Sequence, residues 1–264
     1  MTGERPSVAL LLELARVAHQ QRDDKGSLGY LAHARDLEPR NASVHYYFGL
    51  VCVSSNLIAE ARDAFGKAIS IEPDNASYNY AMGAVSSFRR EPAEAIPYFE
   101  KYLRLKPQDP RGKLALGAAL FRAKDYHAAT KILTEATAHP ENATTARYYL
   151  GSIARQQGRI DEAVSELELA LKAKPDYPDA LAELGQCYFM RKDYERAGAQ
   201  LRRALEINPD HYAANFNLLT LYARAKDERR EAQEKRFAEV QQLREEKMQE
   251  LLRIVEVRPF PAPQ

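Results

Sequence analysis

Histidines and cysteines are the residues of this chain whose chemistry is most often catalytic or metal-binding, and their spacing supports neither role. The six histidines are scattered, and no pair has the HExxH spacing of a zinc protease. Cys52 and Cys187 lie far apart without a CxxC motif, which argues against a disulfide framework and a zinc site. No glycine-rich phosphate loop is present. The sequence therefore predicts a protein that is not an enzyme and holds no metal or cofactor. The histidines are His19, His33, His45, His127, His139 and His211.

Three asparagines follow prolines of the chain at similar positions and could carry two kinds of chemistry. Asn41, Asn75 and Asn142 each begin an Asn-x-Ser/Thr triplet, the acceptor motif for N-glycosylation in secreted proteins. An asparagine there can also cap a helix, because its side-chain oxygen accepts a hydrogen bond from a free backbone amide of the first turn. The recurrence at one repeat position favours capping, so these asparagines predict three helix starts.

The composition limits the classes of partner. Lys and Arg total 38 against 37 Asp and Glu, so the net charge of +1 lacks the basic excess of a nucleic-acid-binding surface. No apolar run approaches the roughly 18 residues that span a bilayer, and the first residues lack the basic and apolar segments of an export signal. The mean hydropathy of −0.52 is typical of a soluble protein. We expect no nucleic acid and no membrane insertion; the compartment is unknown, with the cytoplasm favoured.

Small residues recur along most of the chain with a period of 34 residues, which indicates a tandem repeat. The glycines of the series are Gly49, Gly83, Gly117, Gly151 and Gly185. Alanines keep one phase at Ala61, Ala95, Ala129, Ala163 and Ala197. They keep another at Ala34, Ala68, Ala136, Ala170 and Ala204, where Tyr102 fills the gap. Between the two phases lie Leu31, Phe65, Phe99, Leu133, Leu167 and Leu201.

Each repeat predicts two amphipathic helices, with apolar residues three and four apart and a proline after the second helix. The glycine and alanines let the two helices approach closely, and a large residue of the second helix inserts between them. The pattern resembles the tetratricopeptide repeat, for example in Leu150-Gly151 and in the run from Ala61 through Phe65 and Ala68 to Pro73.

This resemblance implies an all-α fold, a right-handed superhelical solenoid of helical hairpins with a C-terminal helical extension. Residues 212–257 are predicted as a seventh, degenerate capping helix followed by a charged helix, and residues 258–264 as a Pro-rich tail. The thin apolar stripe of the charged helix is Phe237, Val240, Met248, Leu251 and Val255. The six predicted repeats are 8–41, 42–75, 76–109, 110–143, 144–177 and 178–211.

In the family, the first helices of the repeats line a concave groove that holds the ligand. The second, fifth, ninth and twelfth residues of each repeat are therefore expected to face it. These positions give an apolar, tyrosine-rich surface, and such residues are enriched at binding hot spots. The predicted peptide-binding residues are Leu12, Tyr46, Leu50, Tyr80, Leu114, Phe121, Tyr148, Arg155, Phe189 and Phe216.

The resemblance implies a non-enzymatic scaffold that binds a peptide or protein segment of unknown identity. Two narrower family functions lack their residues here: no three consecutive repeats supply the Lys, Asn and Arg set that grips a C-terminal carboxylate, and the sixth positions carry no asparagine ladder.

The front of the array suggests a second hypothesis. In later repeats, the positions equivalent to Leu10 and Val17 pack on the preceding hairpin. Repeat arrays need a polar outer face at each end, and these two apolar residues do not provide one at the front. The alternatives are therefore an assembly module that self-associates end to end, and a segment of a longer array with upstream repeats. A regulatory arm cut from a larger protein is a further alternative.

Overall fold

The computed structural model of the chain describes residues 6–88 and 92–256, and this part contains fourteen α-helices and no β-strand. The predicted tail, 258–264, lies outside the described residues, as do the side chains of Met248, Leu251 and Val255. The helices are α1 (Val8–Gln20), α2 (Asp24–Leu37), α3 (Ala42–Ser54), α4 (Ile58–Ile71), α5 (Ala76–Phe88), α6 (Pro92–Leu105), α7 (Pro110–Arg122), α8 (Tyr126–Ala136), α9 (Pro140–Gln156), α10 (Ile160–Ala173), α11 (Pro178–Met190), α12 (Tyr194–Ile207), α13 (Tyr212–Ala225) and α14 (Arg230–Glu256).

The chain divides into two compact units. Unit 1 ends at Asp125 and contains α1 to α7, and unit 2 begins at Tyr126 and contains α8 to α14. Residues 110–143, predicted as one repeat, therefore contribute α7 to unit 1 and α8 to unit 2. Within residues 6–88 and 92–256, no helix combines the length and the apolar composition needed to cross a bilayer.

Close helix approach at small residues holds hairpins together in both units. A Cβ atom built on Gly49 would lie 2.5 Å from Cε1 of Phe65, and one on Gly185 would lie 2.8 Å from Cγ of Leu201. These distances are below van der Waals contact, so the glycines are present because the opposing large side chain occupies their space. The predicted insertion of a Phe or Leu between small residues is therefore seen in these hairpins.

The first hairpin keeps this packing with different residues. Ala15 and Ser27 stand where later repeats have glycine and alanine, and both are buried. The Ser27 hydroxyl donates a hydrogen bond of 2.8 Å to the carbonyl oxygen of Ala15, so the buried polar atom is satisfied.

The second hairpin stacks on the first through the third and tenth residues of α3. Val44 lies in a buried cluster with Leu11 and Ala34, and Val51 lies in another with Leu31. Both valines are thus covered by the preceding hairpin, as the sequence predicts.

Polar side chains at the fourth position of the repeat fix the turn between consecutive hairpins. Asn79 donates a hydrogen bond of 3.0 Å to the carbonyl oxygen of Pro73, and Asn215 donates one of 2.9 Å to that of Pro209. Nε2 of His45 lies 2.8 Å from the carbonyl oxygen of Pro39. Each contact ties a first helix to the end of the preceding second helix.

The capping prediction holds for two of the three asparagines. The Asn41 side chain accepts from the Val44 amide at 3.3 Å, and that of Asn75 accepts from the Ser77 amide at 3.1 Å. Asn142 is not a cap, because α9 begins at Pro140 and places Asn142 inside its first turn. Pro140 occupies the first position of α9, a position that proline favours.

The C-terminal helices form a seventh hairpin, which the sequence only partly predicts. Phe237 of α14 lies 5.6 Å from Phe216 of α13, ring centroid to centroid, as Phe99 lies 5.6 Å from Tyr80. The 34-residue period places the large residue that follows Leu201 in the series at position 235, which is Lys235. Phe237, two residues later, makes the contact instead. Phe237 and Val240, two residues of the predicted apolar stripe, are buried, so the first half of α14 packs against α13.

Candidate functional site

A cavity of about 500 Å³ opens in unit 1 between helices α3 and α5. Its lining contains three of the predicted groove residues, Tyr46, Leu50 and Tyr80, together with Val53 and Ala84 from the ninth and twelfth positions. The remaining lining residues are Ile58, Phe65, Ser77, Ala81, Val85, Tyr102 and Arg111. We refer to this space as the unit 1 cavity.

Aromatic packing holds the two tyrosine walls of the cavity in place. The ring of Tyr46 lies 4.9 Å from that of Tyr78 and 5.9 Å from that of Phe65, centroid to centroid. Tyr80 lies 5.0 Å from Tyr102. Offset and tilted rings at these separations attract one another, so the walls are supported from behind.

Small side chains create the open space between the walls. Ser77, Ala81 and Ala84 lie on α5 at positions one helical turn apart and line the cavity. Longer side chains at these positions would occupy the volume, so the cavity depends on their size.

Tyr102 lines the cavity and departs from the repeat pattern in unit 1. It occupies an alanine position and is nevertheless buried. Gly112 makes room for it, because a Cβ atom on Gly112 would lie 2.7 Å from Cδ1 of Tyr102. The sequence signal was present in this pair, a large residue in an alanine series and a glycine ten residues later, but Tyr102 was not predicted as a site residue.

An ion pair stands at the same end of the cavity. Arg111 donates to Asp109 from Nη2 at 2.7 Å and from Nε at 3.1 Å, and the Arg111 backbone amide donates at 2.9 Å. The Tyr102 hydroxyl donates to the same carboxylate at 2.5 Å. The hydrogen bonds from Arg111 hold the pKa of Asp109 well below its usual range, against the opposite effect of burial.

The guanidinium of Arg111 also lies beside the aromatic wall. Its Cζ atom is 5.8 Å from the centroid of the Tyr80 ring, within the range of a cation–π contact. Arg111 was expected to face the groove as a second-position residue but was not among the predicted binding residues.

The other predicted residues of unit 1 lie outside the lining of this cavity. Leu12 is half-buried and packs against the clusters that contain Val44 and Val51. Leu114 and Phe121 of α7 are half-buried.

Predicted residues in unit 2 have a more polar setting. Nε of Arg155 donates to Glu183 at 2.5 Å, and both side chains are mostly buried. Burial lowers the pKa of Arg155, but the hydrogen bond and charge of Glu183 outweigh it and raise the pKa overall. Tyr148 stacks near Tyr177 at 5.2 Å, and burial raises the pKa of its phenol. These contacts hold the Arg155 and Tyr148 side chains in place within unit 2.

The last two predicted residues differ from one another. Phe189 is half-buried and lies 5.6 Å from Tyr194. Phe216 is 49% exposed, although it contacts Phe237. Phe216 is therefore the residue of this group with the most surface to offer a partner.

Nucleophilic and metal-binding groups give no competing site in the described residues. Burial raises the pKa of Cys52 and of Cys187 to about 12, so neither is a thiolate near neutral pH. Across the part of the chain that the structure describes, no group of three or more His, Cys, Asp or Glu side chains could hold a metal ion.

Comparisons with known proteins agree with the helical-hairpin architecture. A family model described as tetratricopeptide repeat matches residues 154–220, and one described as anaphase-promoting complex, cyclosome, subunit 3 matches residues 90–170. DnaJ homolog subfamily C member 3 of Gallus gallus is 28% identical over 91 residues. That match covers 34% of this chain and 18% of the relative, so the chain matches less than a fifth of the relative's length.

Two solved structures extend the likeness to most of the chain. A tetratricopeptide repeat protein from Parabacteroides merdae superposes with a TM-score of 0.78 at 16% identity, covering 94% of this chain and 98% of the other. YrrB, described as a TPR protein with an unusual peptide-binding site, has a TM-score of 0.55 at 27% identity and covers 70% of this chain and 95% of its own. With the 34-residue register and the glycine contacts, these matches show that the chain is similar to tetratricopeptide repeat proteins in sequence and in fold.

Proposed function

We propose that this protein is a non-enzymatic scaffold that binds a peptide or protein segment, and that the unit 1 cavity receives an apolar side chain of that segment. The observation that carries the proposal is the cavity itself, about 500 Å³ with tyrosine walls and a floor of small residues. Ligand pockets in proteins commonly measure about 300 to 1,000 Å³ and have mostly apolar linings.

The chemistry of the walls supports a peptide ligand. Tyr46 and Tyr80 combine a broad apolar ring with a hydroxyl, the combination enriched at interaction hot spots. On α3, the lining residues Leu50 and Val53 are exposed, and so is Tyr47, which lies outside the lining. A segment anchored in the cavity would therefore find further apolar contacts beside it.

The family relationship supports the same function. Tetratricopeptide repeat proteins are generally protein-binding scaffolds without catalytic activity. YrrB, at 27% identity, is described as having a peptide-binding site. The remaining predicted groove residues, including Leu114 and Phe121 in unit 1 and Phe216 in unit 2, are proposed as secondary contacts.

Peptide selection tests the cavity directly. A displayed library of random peptides would be selected on the full chain, and the recovered peptides measured by fluorescence anisotropy against Tyr80→Ala and Ala84→Leu. We expect each variant to weaken binding at least about tenfold, because one removes a hot-spot ring and the other fills the cavity.

Ala59→Leu is the matched control, since Ala59 is an exposed residue of α4 that does not line the cavity. Far-UV circular dichroism would establish that all three variants keep the helical content of the parent chain. Selected peptides that bind Ala84→Leu as tightly as the parent chain would refute the cavity as the binding site.

A second candidate function, self-association through the first helix, is favoured by a specific observation. Leu10, Leu14 and Val17 form a stripe on α1 and are 51%, 37% and 40% exposed, whereas Val44 and Val51 at the equivalent positions of α3 are 1% and 4% exposed. The ion pair between Glu13 and Arg16, 2.7 Å long, leaves the flank of the stripe neutral. We propose that a second copy of the chain covers this stripe with its own α1.

Sedimentation velocity over a range of concentrations tests this second candidate. Burial of such side chains stabilises by about 1.5–3 kcal/mol each, so the parent chain should form a concentration-dependent dimer that Leu10→Glu with Val17→Lys abolishes. Leu169→Glu with Met190→Lys alters equally exposed apolar residues elsewhere and should leave the dimer intact. A parent chain that remains monomeric at high concentration would reject self-association.

A further inference from the structure

The charge at the rim of the unit 1 cavity indicates which ligand groups it can accept. Of the lining residues in the described part of the chain, Arg111 alone is charged. Its side chain is 69% exposed, so an acidic group entering the cavity could reach it unless another group holds it. The contacts of Arg111 therefore decide whether the cavity favours acidic ligands.

Asp109 already occupies the edge of that guanidinium formed by Nε and Nη2. Two of the Arg111 side-chain nitrogens donate to the two carboxylate oxygens, at 3.1 Å from Nε to Oδ1 and at 2.7 Å from Nη2 to Oδ2. This paired geometry is the strong arrangement for arginine and carboxylate. An acidic ligand would have to displace Asp109 or bind beside it.

The carboxylate is itself fixed by groups other than the guanidinium. It accepts from the Arg111 backbone amide at 2.9 Å, as the N-cap of α7, and from the Tyr102 hydroxyl at 2.5 Å. Tyr102 in turn is held in its alanine position by the space at Gly112. Asp109 is therefore a preorganised partner whose negative charge stays beside Arg111.

We propose that Asp109 is a specificity-determining residue that makes the unit 1 cavity accept an uncharged apolar group and reject an acidic one. This inference rests on the proposed binding function of the same cavity. Asp109 neutralises the rim and repels a second negative charge, while the apolar walls remain available. Specificity of this kind comes from a repulsive group as much as from attractive contacts.

Two dyes that differ in one sulfonate group provide the test. N-phenyl-1-naphthylamine is uncharged, and 8-anilino-1-naphthalenesulfonate adds one negative charge to the same ring system. Both become fluorescent in apolar sites, and their dissociation constants would be measured on the full chain at low salt, where charge effects are least screened. The ratio of the two constants measures the preference for the uncharged dye.

Asp109→Asn should shift this ratio about three- to fivefold toward the sulfonate, the change expected when one exposed ionic contact becomes available. Asparagine remains a good helix N-cap, so α7 should keep its start. Adding Arg111→Ala to Asp109→Asn should remove the gain, because no cation would remain at the rim.

Unit 2 offers a matched control in the same motif. Arg229 donates to Asp227 from Nη2 at 2.6 Å and from Nε at 2.8 Å, and its Cζ lies 4.6 Å from the Tyr222 ring, outside the unit 1 cavity. Asp227→Asn frees an arginine in a similar setting and should leave the ratio at the parent value. An equal shift in both variants, or no shift in Asp109→Asn, would overturn the role of Asp109.

The same measurements separate this inference from the proposed function. If the uncharged dye fails to bind the parent chain, or binds Ala84→Leu as tightly, the cavity is not the site and both proposals fail. If the uncharged dye binds in the cavity and the ratio does not respond to Asp109→Asn, only the specificity role fails.

Discussion

Replacing Gly49 by alanine is expected to destabilise unit 1 by roughly 1–3 kcal/mol, the usual cost of forcing one extra carbon into a packed core. The added Cβ would lie 2.5, 2.7 and 2.9 Å from three atoms of the Phe65 ring. Phe65 is itself buried, at 1% exposure, so the ring has little freedom to move away. Urea denaturation followed by circular dichroism would report the loss as a lower midpoint.

Gly29→Ala is the matched control in the same unit and should act in the opposite direction. No atom lies within 4 Å of the position that a Cβ on Gly29 would take, in the middle of α2. Alanine in a helix is favoured over glycine by about 0.5–1 kcal/mol, so this variant should be stabilised. Equal midpoints for the two variants would refute the packing role assigned to Gly49.

A partner substitution separates steric conflict from helix propensity. If the cost of Gly49→Ala comes from the Phe65 ring, the smaller side chain in Phe65→Leu should reduce that cost in the double variant. Contacting residues commonly show such coupling, whereas distant ones add independently. Additive changes in the free energy of unfolding would mean that the ring is not the obstacle.

Deleting residues 212–264 is expected to destabilise unit 2 strongly, lowering its melting temperature by about 10 °C or more. Leu218, Leu221 and Tyr222 of α13 are buried in the cluster that contains Leu184 and Leu201. Each large side chain stabilises by about 1.5–3 kcal/mol on burial, and the total stability of a domain is only about 5–15 kcal/mol. Differential scanning calorimetry would measure the effect.

A shorter deletion provides the comparison. Removing residues 241–264 retains Phe237 and Val240, which are buried, and removes a segment whose described side chains are mainly exposed. It should therefore cost much less than the deletion from 212. Leu218 and Leu221 of α13 are buried in the cluster that contains Leu201, whereas Phe216 is exposed. Identical melting temperatures for the 1–211 chain and the full chain would show that α13 does not stabilise unit 2 by covering that cluster.

The turns between the two helices of a hairpin share a backbone conformation although their residue types differ. In the described residues, one residue of each such turn has a positive φ, between 53° and 76°. Gly158 and Asn56 are residue types that this conformation favours, and lysine or arginine occupies the other four positions. The period of 34 is kept by the backbone while the residue type varies, so the sequence carried no signal for it. These residues are Arg22, Asn56, Lys124, Gly158, Lys192 and Lys226.

The sequence by itself determined the helical hairpins, the small and large residues that join them, and the first-helix positions that bring Tyr46, Leu50 and Tyr80 to one cavity. These features follow from local steric rules that act alike in every repeat, so a period of 34 residues displays them. Tertiary structure alone decided where repeats depart from that rule: the room that Gly112 gives Tyr102, the ion pair of Asp109 with Arg111, and the two-residue shift of Phe237. Each departure is settled by contacts between residues of different helices or of a helix and its cap, and a single deviating residue does not specify which neighbour will compensate for it.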